Sequence, residues 1–229
     1  AGVIAVSEGV RQDTIHVTGL PPERVHVIRN PVITSRIDAQ AAEPAPHPWL
    51  VDKAGLPVIM GMGRLTAQKD FATLLRAFAR IQSGLPSRLV LLGEGPKPGD
   101  RERHEQLARE LGVGERVLLP GFQKNPYAWL SRADLFVLSS AWEGSPNALT
   151  EALALGIPSV STDCPSGPNE ILDGGRFGPL VPVGDAQAMA GAMLATLRAP
   201  LPPDRLREAV AEYRADLSAR RYLQLMQLI

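Results

Sequence analysis

The apolar residues of this chain follow two rhythms that alternate along its length. Short unbroken runs at 58–62, 89–92, 117–119, 135–138 and 157–161 each read as a strand buried on both faces. Between them lie amphipathic stretches. Residues 70–82 carry apolar side chains at 71, 74, 75, 78 and 81, the spacing of one helix face. Further helices are expected over 101–111, closed by Gly112, and over 127–133, 146–155 and 186–198. Strand–helix alternation over this length predicts an α/β fold: a Rossmann-like, doubly wound parallel sheet. No internal repeat is visible.

The two ends break that rhythm. Residues 1–30 read as strand, helix and short strand, with Ser7 as N-cap of a helix over 8–18 and a strand over 25–28. Residues 31–56 hold Pro31, Pro44, Pro46 and Pro48 with little periodicity, and are expected to form a semi-rigid linker. The sheet unit then runs over 57–215. Pro200, Pro202 and Pro203 interrupt it before two last helices, over 204–213 and 218–229, the second within a terminal segment 216–229.

Charge narrows the partners. Lys and Arg total 24 against 24 Asp and Glu, so the net charge is zero and nucleic acid is not an expected partner. Only four basic residues are Lys (53, 69, 97 and 124), which singles out any Lys at a special position. The one cysteine, Cys164, allows no intrachain disulfide and favours a reducing, cytoplasmic compartment; it reads as a small buried residue rather than a nucleophile. No apolar run approaches the roughly 18–20 residues that span a bilayer. His16, His26, His47 and His104 are scattered and read as surface residues, with no metal-ligand cluster. The chain enters at once into a strand, as the interior of a longer protein would.

In sheets of this kind ligands bind beyond the carboxyl ends of the strands, so the loops there carry the chemistry. The first is Gly61-Met62-Gly63-Arg64-Leu65-Thr66-Ala67-Gln68-Lys69-Asp70. Its glycines admit close backbone approach, a helix start attracts anions, and Arg64 and Lys69 add fixed positive charge. Together these describe a diphosphate pocket; a tight turn with two surface bases is the alternative. The third glycine of a dinucleotide fingerprint is missing, and the loop is not a P-loop. The second is Ala141 to Glu151. Ser145 suits an N-cap and Pro146 the first helical position, leaving free amides at Asn147, Ala148 and Leu149. Glu151 shares a helix face with Asn147 and Ala148, and Glu143 lies eight residues earlier, in the loop. Either both carboxylates are solvated, or Glu151 turns from the phosphates to accept the vicinal hydroxyls of a ribose.

These motifs, in this order, resemble the nucleotide-sugar domain of retaining GT-B glycosyltransferases of family 4. The likeness rests on Gly61-x-Gly-Arg-Leu, Gln68-Lys-Asp-Phe, Glu94-Gly-Pro, Leu119-Pro-Gly-Phe122, Glu143-Gly-Ser-Pro-Asn-Ala-Leu-Thr-Glu151 and the loop from Ser159 to Glu170. The resemblance implies that Arg64 and Lys69 bind the diphosphate leaving group, Glu143 meets the transferred sugar and Glu151 holds the ribose. It implies that Gly63, Gly93, Gly121, Ser145 and the amides of Asn147, Ala148 and Leu149 face the donor. Phe122, Gln123 and Asn125 would line the base. It implies a preceding acceptor-binding domain, with residues 1–30 as its last elements and 216–229 as a helix crossing back onto it. Asn30-Pro31 departs from the more usual Asn-Gly, which stiffens the hinge, and Pro146 removes one amide from its helix start.

The expected function is therefore retaining transfer of a sugar from a nucleoside diphosphate, with UDP favoured by the loop around Cys164. The acceptor would be a glycan or a lipid-linked glycan. No cofactor or metal is expected, and a peripheral contact with the inner face of the membrane would run through the missing domain. A non-catalytic nucleotide-sugar-binding module and a GT-B nucleotide-sugar epimerase are the alternatives. A nicotinamide dehydrogenase is disfavoured by the broken glycine motif.

Overall fold

The apolar runs assemble into a single parallel sheet of six strands in a computed structural model that describes residues 2–227. Its strands are β3 (Val58–Met62), β4 (Arg88–Leu92), β5 (Val117–Gly121), β6 (Leu135–Leu138), β7 (Ser159–Thr162) and β8 (Leu180–Val181), in the order β5-β4-β3-β6-β7-β8. Upstream, β1 (Val3–Ala5) and β2 (Val25–Val27) pair in parallel as a separate two-stranded sheet joined through α1 (Glu8–Thr18).

The linker is more structured than its composition suggests. It contains α2 (Ile37–Ala41) and α3 (Pro48–Val51), which bury Ile37 and Leu50. Each spans little more than one turn, too short to display a period. Pro48 opens α3, and the His47 ring accepts from Trp49 N–H at 3.2 Å. His47 also stacks on Trp129 at 5.9 Å, so it is a half-buried packing residue. Burial, and then the charge of Arg88, lower its pKa. His26 and His104 are half-buried as well, which corrects the surface expectation for three of the four histidines.

The sheet is covered on both faces, which is why its strands read as continuous apolar runs. Alternate residues serve opposite cores. Ile59, Leu89, Leu91, Leu135 and Val137 face α4 (Phe71–Ile81), α5 (Asp100–Glu110) and, further along the chain, α9 (Ala186–Arg198). Met60, Val90, Phe136 and Leu138 face α6 (Tyr127–Leu130), α7 (Asn147–Ala154), α8 (Pro168–Ile171) and α10 (Pro203–Glu208). The expected helix over 204–213 is thus α10 followed by a short 3-10 turn at Ala211–Tyr213. The last helix, α11 (Ala215–Leu225), starts three residues earlier than expected; Leu228 and Ile229 of the expected span lie outside the described residues. Ser218 on α11 donates to the Arg29 carbonyl at 2.8 Å, and Ala215 N–H to the Ile33 carbonyl at 2.9 Å. The terminal helix thus crosses back onto the hinge segment. Among the described residues no helix is long and apolar enough to cross a membrane.

The core assignment has a direct test in urea unfolding. Phe78, 0% exposed, is the largest side chain between α4 and the sheet. Phe78→Ala is expected to cost about 3–5 kcal/mol, whereas Val17→Ala at an exposed site of α1 should stay within about 0.5 kcal/mol.

Candidate functional site

Strand order reverses at β3: the chain leaves it towards β4 and β5, then returns to its other side as β6. Two helices therefore begin on opposite faces of the sheet beside one crevice, α4 after β3 and α7 after β6. The two loops are stitched together. Ala141 N–H donates to the Gln68 carbonyl at 2.8 Å, Gln68 Nε2 to the Trp142 carbonyl at 3.0 Å, and Ser139 Oγ to the Lys69 carbonyl at 2.7 Å.

Three predicted glycines meet on the β4 side. Gly63 N–H bonds to the Leu92 carbonyl and Gly93 N–H to the Gly121 carbonyl. A Cβ on Gly93 would lie 1.9 Å from the Gly63 carbonyl oxygen, and Gly93 has φ +140°, so only glycine fits. Beside them is a cavity of about 310 Å³ lined by Gly63, Arg64, Gly93, Phe122 and Gln123, with walls almost wholly apolar. Phe122 is 77% exposed at its mouth. Gln123 Nε2 is turned to the Pro120 carbonyl. Asn125 is also committed: its Oδ1 accepts from Tyr127 and Ala128 N–H to start α6, and its Nδ2 donates to the Gln40 carbonyl. With both ends of its amide taken, Asn125 has only its backbone to offer a base. A larger cavity, about 760 Å³, lies between residues 33–38, the end of α10 and the start of α11, and none of the predicted site residues lines it.

On the α7 side, Lys69 Nζ forms an ion pair with Glu143 Oε1, and Ser140 Oγ donates to the same oxygen at 2.7 Å. The side chains are 16% and 7% exposed. Lys69 and Glu143, expected to serve phosphate and sugar separately, hold one another. Arg64 is exposed, with no hydrogen bond or ion pair from its guanidinium among the described residues.

The start of α7 differs from expectation. Pro146 is the N-cap rather than the first helical residue, and Ser145 does not cap: its Oγ is buried without a partner. Pro146 itself takes the extended conformation of an N-cap (φ −73°, ψ 95°), so α7 starts one residue later and Ser145 lies outside the capping position. The Pro146 carbonyl accepts from both Leu149 and Thr150 N–H, at 3.1 and 3.2 Å. Leu149 is 0% exposed, so it leaves the donor-facing set and belongs to the core. Asn147 and Ala148 keep unpaired amides among the described residues. The Asn147 side chain accepts from Asn30 Nδ2 at 2.9 Å, joining the hinge to the site.

One turn into α7, Glu151 is set back from the surface, which overturns the solvated-face alternative. Burial pushes its pKa up to about 7, partly offset by the Tyr127 hydroxyl, which donates to Oε1 at 3.0 Å. Burial and the Glu151 charge in turn push Tyr127 up to about 12.

Four participants escaped the sequence reading of the site: Tyr127, Ser140, Asn30 as a contact to α7, and Glu170. The Glu170 carboxylate accepts from Glu8 and Gly9 N–H at the start of α1, at 2.9 and 2.8 Å, and pairs with Arg29 at 2.6 Å. Burial alone would raise its pKa, but those two amides and Arg29 outweigh it and hold it low. Nothing local marks such contacts, which join residues far apart in sequence. Cys164, nearby, is buried, and burial raises its thiol pKa.

The family model described as Glycosyl transferases group 1 matches residues 56–199. Among curated proteins, the N-acetylgalactosamine-N,N'-diacetylbacillosaminyl-diphospho-undecaprenol 4-alpha-N-acetylgalactosaminyltransferase of Campylobacter jejuni is 33% identical over 207 residues, 90% of this chain and 52% of that protein. Among solved structures, a glycosyltransferase from Rickettsia africae superposes with a TM-score of 0.87 at 18% identity, over 98% of this chain and 62% of that one. The Anabaena protein HepE, in complex with UDP and glucose, superposes with a TM-score of 0.83 at 20% identity, over 100% of this chain and 63% of that one. The chain spans about half the length of the curated relatives it matches. The matched stretch runs from the approach to β3 to the end of α9 and takes in the loops that line the crevice, so the chain belongs to the glycosyl transferases group 1 family and has the α/β sheet of a GT-B glycosyltransferase.

Proposed function

We propose that this chain is the donor-binding half of a retaining, family 4 glycosyltransferase that moves a sugar from a nucleoside diphosphate to a lipid-linked glycan. The observation that carries the reading is the switch-point crevice. Its rims carry Arg64 and the Lys69–Glu143 pair, and α7, which starts beside it, carries the unpaired amides of Asn147 and Ala148 and, one turn on, the Glu151 carboxylate. Cations and amides suit a diphosphate, and a recessed carboxylate with one oxygen uncommitted suits vicinal hydroxyls. UDP is the favoured donor, in keeping with the UDP bound by HepE. A lipid-linked acceptor, worked at the inner face of the membrane, is in keeping with the diphospho-undecaprenol substrate named for the Campylobacter relative.

In this reading the diphosphate draws Lys69 away from Glu143. Lys69 and Arg64 then offset the charge that develops on the leaving group. Glu143, released, faces the sugar and stabilises positive charge at the anomeric carbon. Transfer needs the acceptor-binding half that longer relatives carry, so residues 1–229 alone should bind nucleotide without transferring sugar.

Calorimetry tests these roles. Lys69→Ala and Arg64→Ala should each weaken UDP by about 1.5–3 kcal/mol, roughly tenfold to a hundredfold, and leave uridine unaffected. Equal losses for both ligands would reduce the two bases to supports of the fold. Glu151→Ala should weaken UDP and UDP-glucose alike, by about 1–3 kcal/mol. Glu143→Ala frees Lys69, so UDP affinity should hold or rise while UDP-glucose loses its advantage over UDP. If Glu143→Ala weakens UDP as much as Glu151→Ala does, the assignment of the two carboxylates is wrong. The cations and amides also take the place of a metal in this scheme. Transfer by the complete enzyme should therefore survive a strong chelator, and its loss on chelation with recovery on Mg²⁺ would sink that part.

A further inference from the structure

Glu151 lies in a place that disfavours its charge. No cation reaches it: the ionisable group that acts on it among the described residues is Tyr127. The strands beneath α7, β6 and β7, carry no ionisable side chain. On α10, which packs on the same helix, Arg205 pairs with Glu208 and Arg207 with Asp204. A protonated carboxyl accepts two hydroxyl hydrogen bonds poorly, so a ribose site here needs something that favours the ionised form and fixes its plane.

Tyr127 has the placement for that task. It opens α6, whose start is fixed by Asn125 and whose other three residues, Ala128, Trp129 and Leu130, are buried. The helix is clamped from outside as well. Ser131 Oγ and Arg132 Nη1 both donate to the Ala41 carbonyl at the end of α2, each at 3.1 Å. α7 is held by the buried Leu149, Ala152 and Leu153. Two anchored helices thus bring the phenol and the carboxylate together across 24 residues of sequence, at 3.0 Å.

We propose that Tyr127 is a positioning residue for nucleotide binding: its hydroxyl holds Oε1 of Glu151 and leaves Oε2 to the hydroxyls of a nucleoside diphosphate's ribose. Tyr127 does not touch the donor; it acts through Glu151. This rests on the ribose role of Glu151 proposed above. It also gives the linker a function, since α2 buttresses α6 and so the tyrosine.

The sign of the pH effect follows from the hydrogen bond. The phenol favours the ionised carboxylate and opposes the effect of burial, so the Glu151 midpoint of about 7 lies lower than it would without the hydroxyl. Removing the hydroxyl raises the midpoint, and UDP affinity should then fall most near neutrality and recover as pH rises.

The test is UDP titration of wild type, Tyr127→Phe, Glu151→Gln and the double variant from about pH 6 to about pH 9, with 2′,3′-dideoxy-UDP as control. Phosphate ionisation of the ligand is common to all four proteins and cancels in their ratios. Tyr127→Phe should lose about tenfold in UDP affinity near neutral pH, regain most of it at the alkaline end, and bind the dideoxy ligand like wild type. On the Glu151→Gln background it should change nothing. A loss equal at every pH, or one that persists on the Glu151→Gln background, would leave Tyr127 with a packing role only and overturn the proposal. Glu151→Gln binding both ligands like wild type would instead remove the ribose reading, and the proposal with it. Incorporating 3-fluorotyrosine at the three tyrosines is an independent check with opposite sign. A more acidic phenol should move the midpoint of UDP binding down, and an unmoved or raised midpoint counts against the proposal.

Discussion

The reversal of strand order at β3 is the constraint on which the site depends. A chain that fills one side of the sheet before the other must begin its α4 and α7 crossovers on opposite faces. The connecting loops cannot close over the same strand end, and a crevice remains between them. The charged groups expected to meet a ligand lie on those loops or on the helix that follows one of them. Arg64 and Lys69 come from the β3 side; Glu143 and Glu151 come from the β6 side. The backbone bond from Ala141 N–H to the Gln68 carbonyl, and the Ser139 bond to the Lys69 carbonyl, keep the two rims at fixed separation.

Within that crevice, each carboxylate is governed by its neighbour. Glu143 is nearly covered yet stays matched, because Lys69 and Ser140 supply a charge and a donor. Glu151 has only a neutral donor, and its pKa climbs to about 7. The same residue type, eight positions apart, thus sits in two environments: one carboxylate paired with a cation, the other recessed with a neutral donor. A buried ion pair such as Lys69–Glu143 is weak evidence for stability, since desolvation offsets much of its attraction. Its place at the crevice makes more sense as a charge held ready for exchange with an anionic ligand.

Much of this was legible in the residues. The runs at 58–62 and 135–138 became β3 and β6 with the bounds expected, because strands covered on both faces have no polar side to blur their ends. The helix over 186–198 appeared as written, with Asp185 accepting from two amides at its start. What escaped was what local pattern does not encode. α2 and α3 are too short for a period, and β8 has two residues between two prolines. Ser145 has the chemistry of a cap but not the position, because α7 starts one residue later and Pro146 stands at the N-cap. Tyr127 sat among apolar neighbours, where an aromatic reads as core. Its hydroxyl found a partner 24 residues away that only the fold brings near.

Two polar ties join the hinge to the site. Asn30 reaches Asn147 at the mouth of α7, and Glu170 accepts from the first amides of α1 while pairing with Arg29. The short α8 after β7 therefore carries a carboxylate where the start of α1 would otherwise attract an anion. α11 adds a third tie through Ser218 and the Arg29 carbonyl. Residues 29 and 30 are thus held from α8, from α7 and from the terminal helix, with Pro31 restricting the backbone just beyond. A hinge so tethered joins the upstream sheet to the donor crevice through side chains that touch its rim. A shift of the Arg29–Asn30 backbone would break the Asn30–Asn147, Arg29–Glu170 and Ser218–Arg29 contacts together.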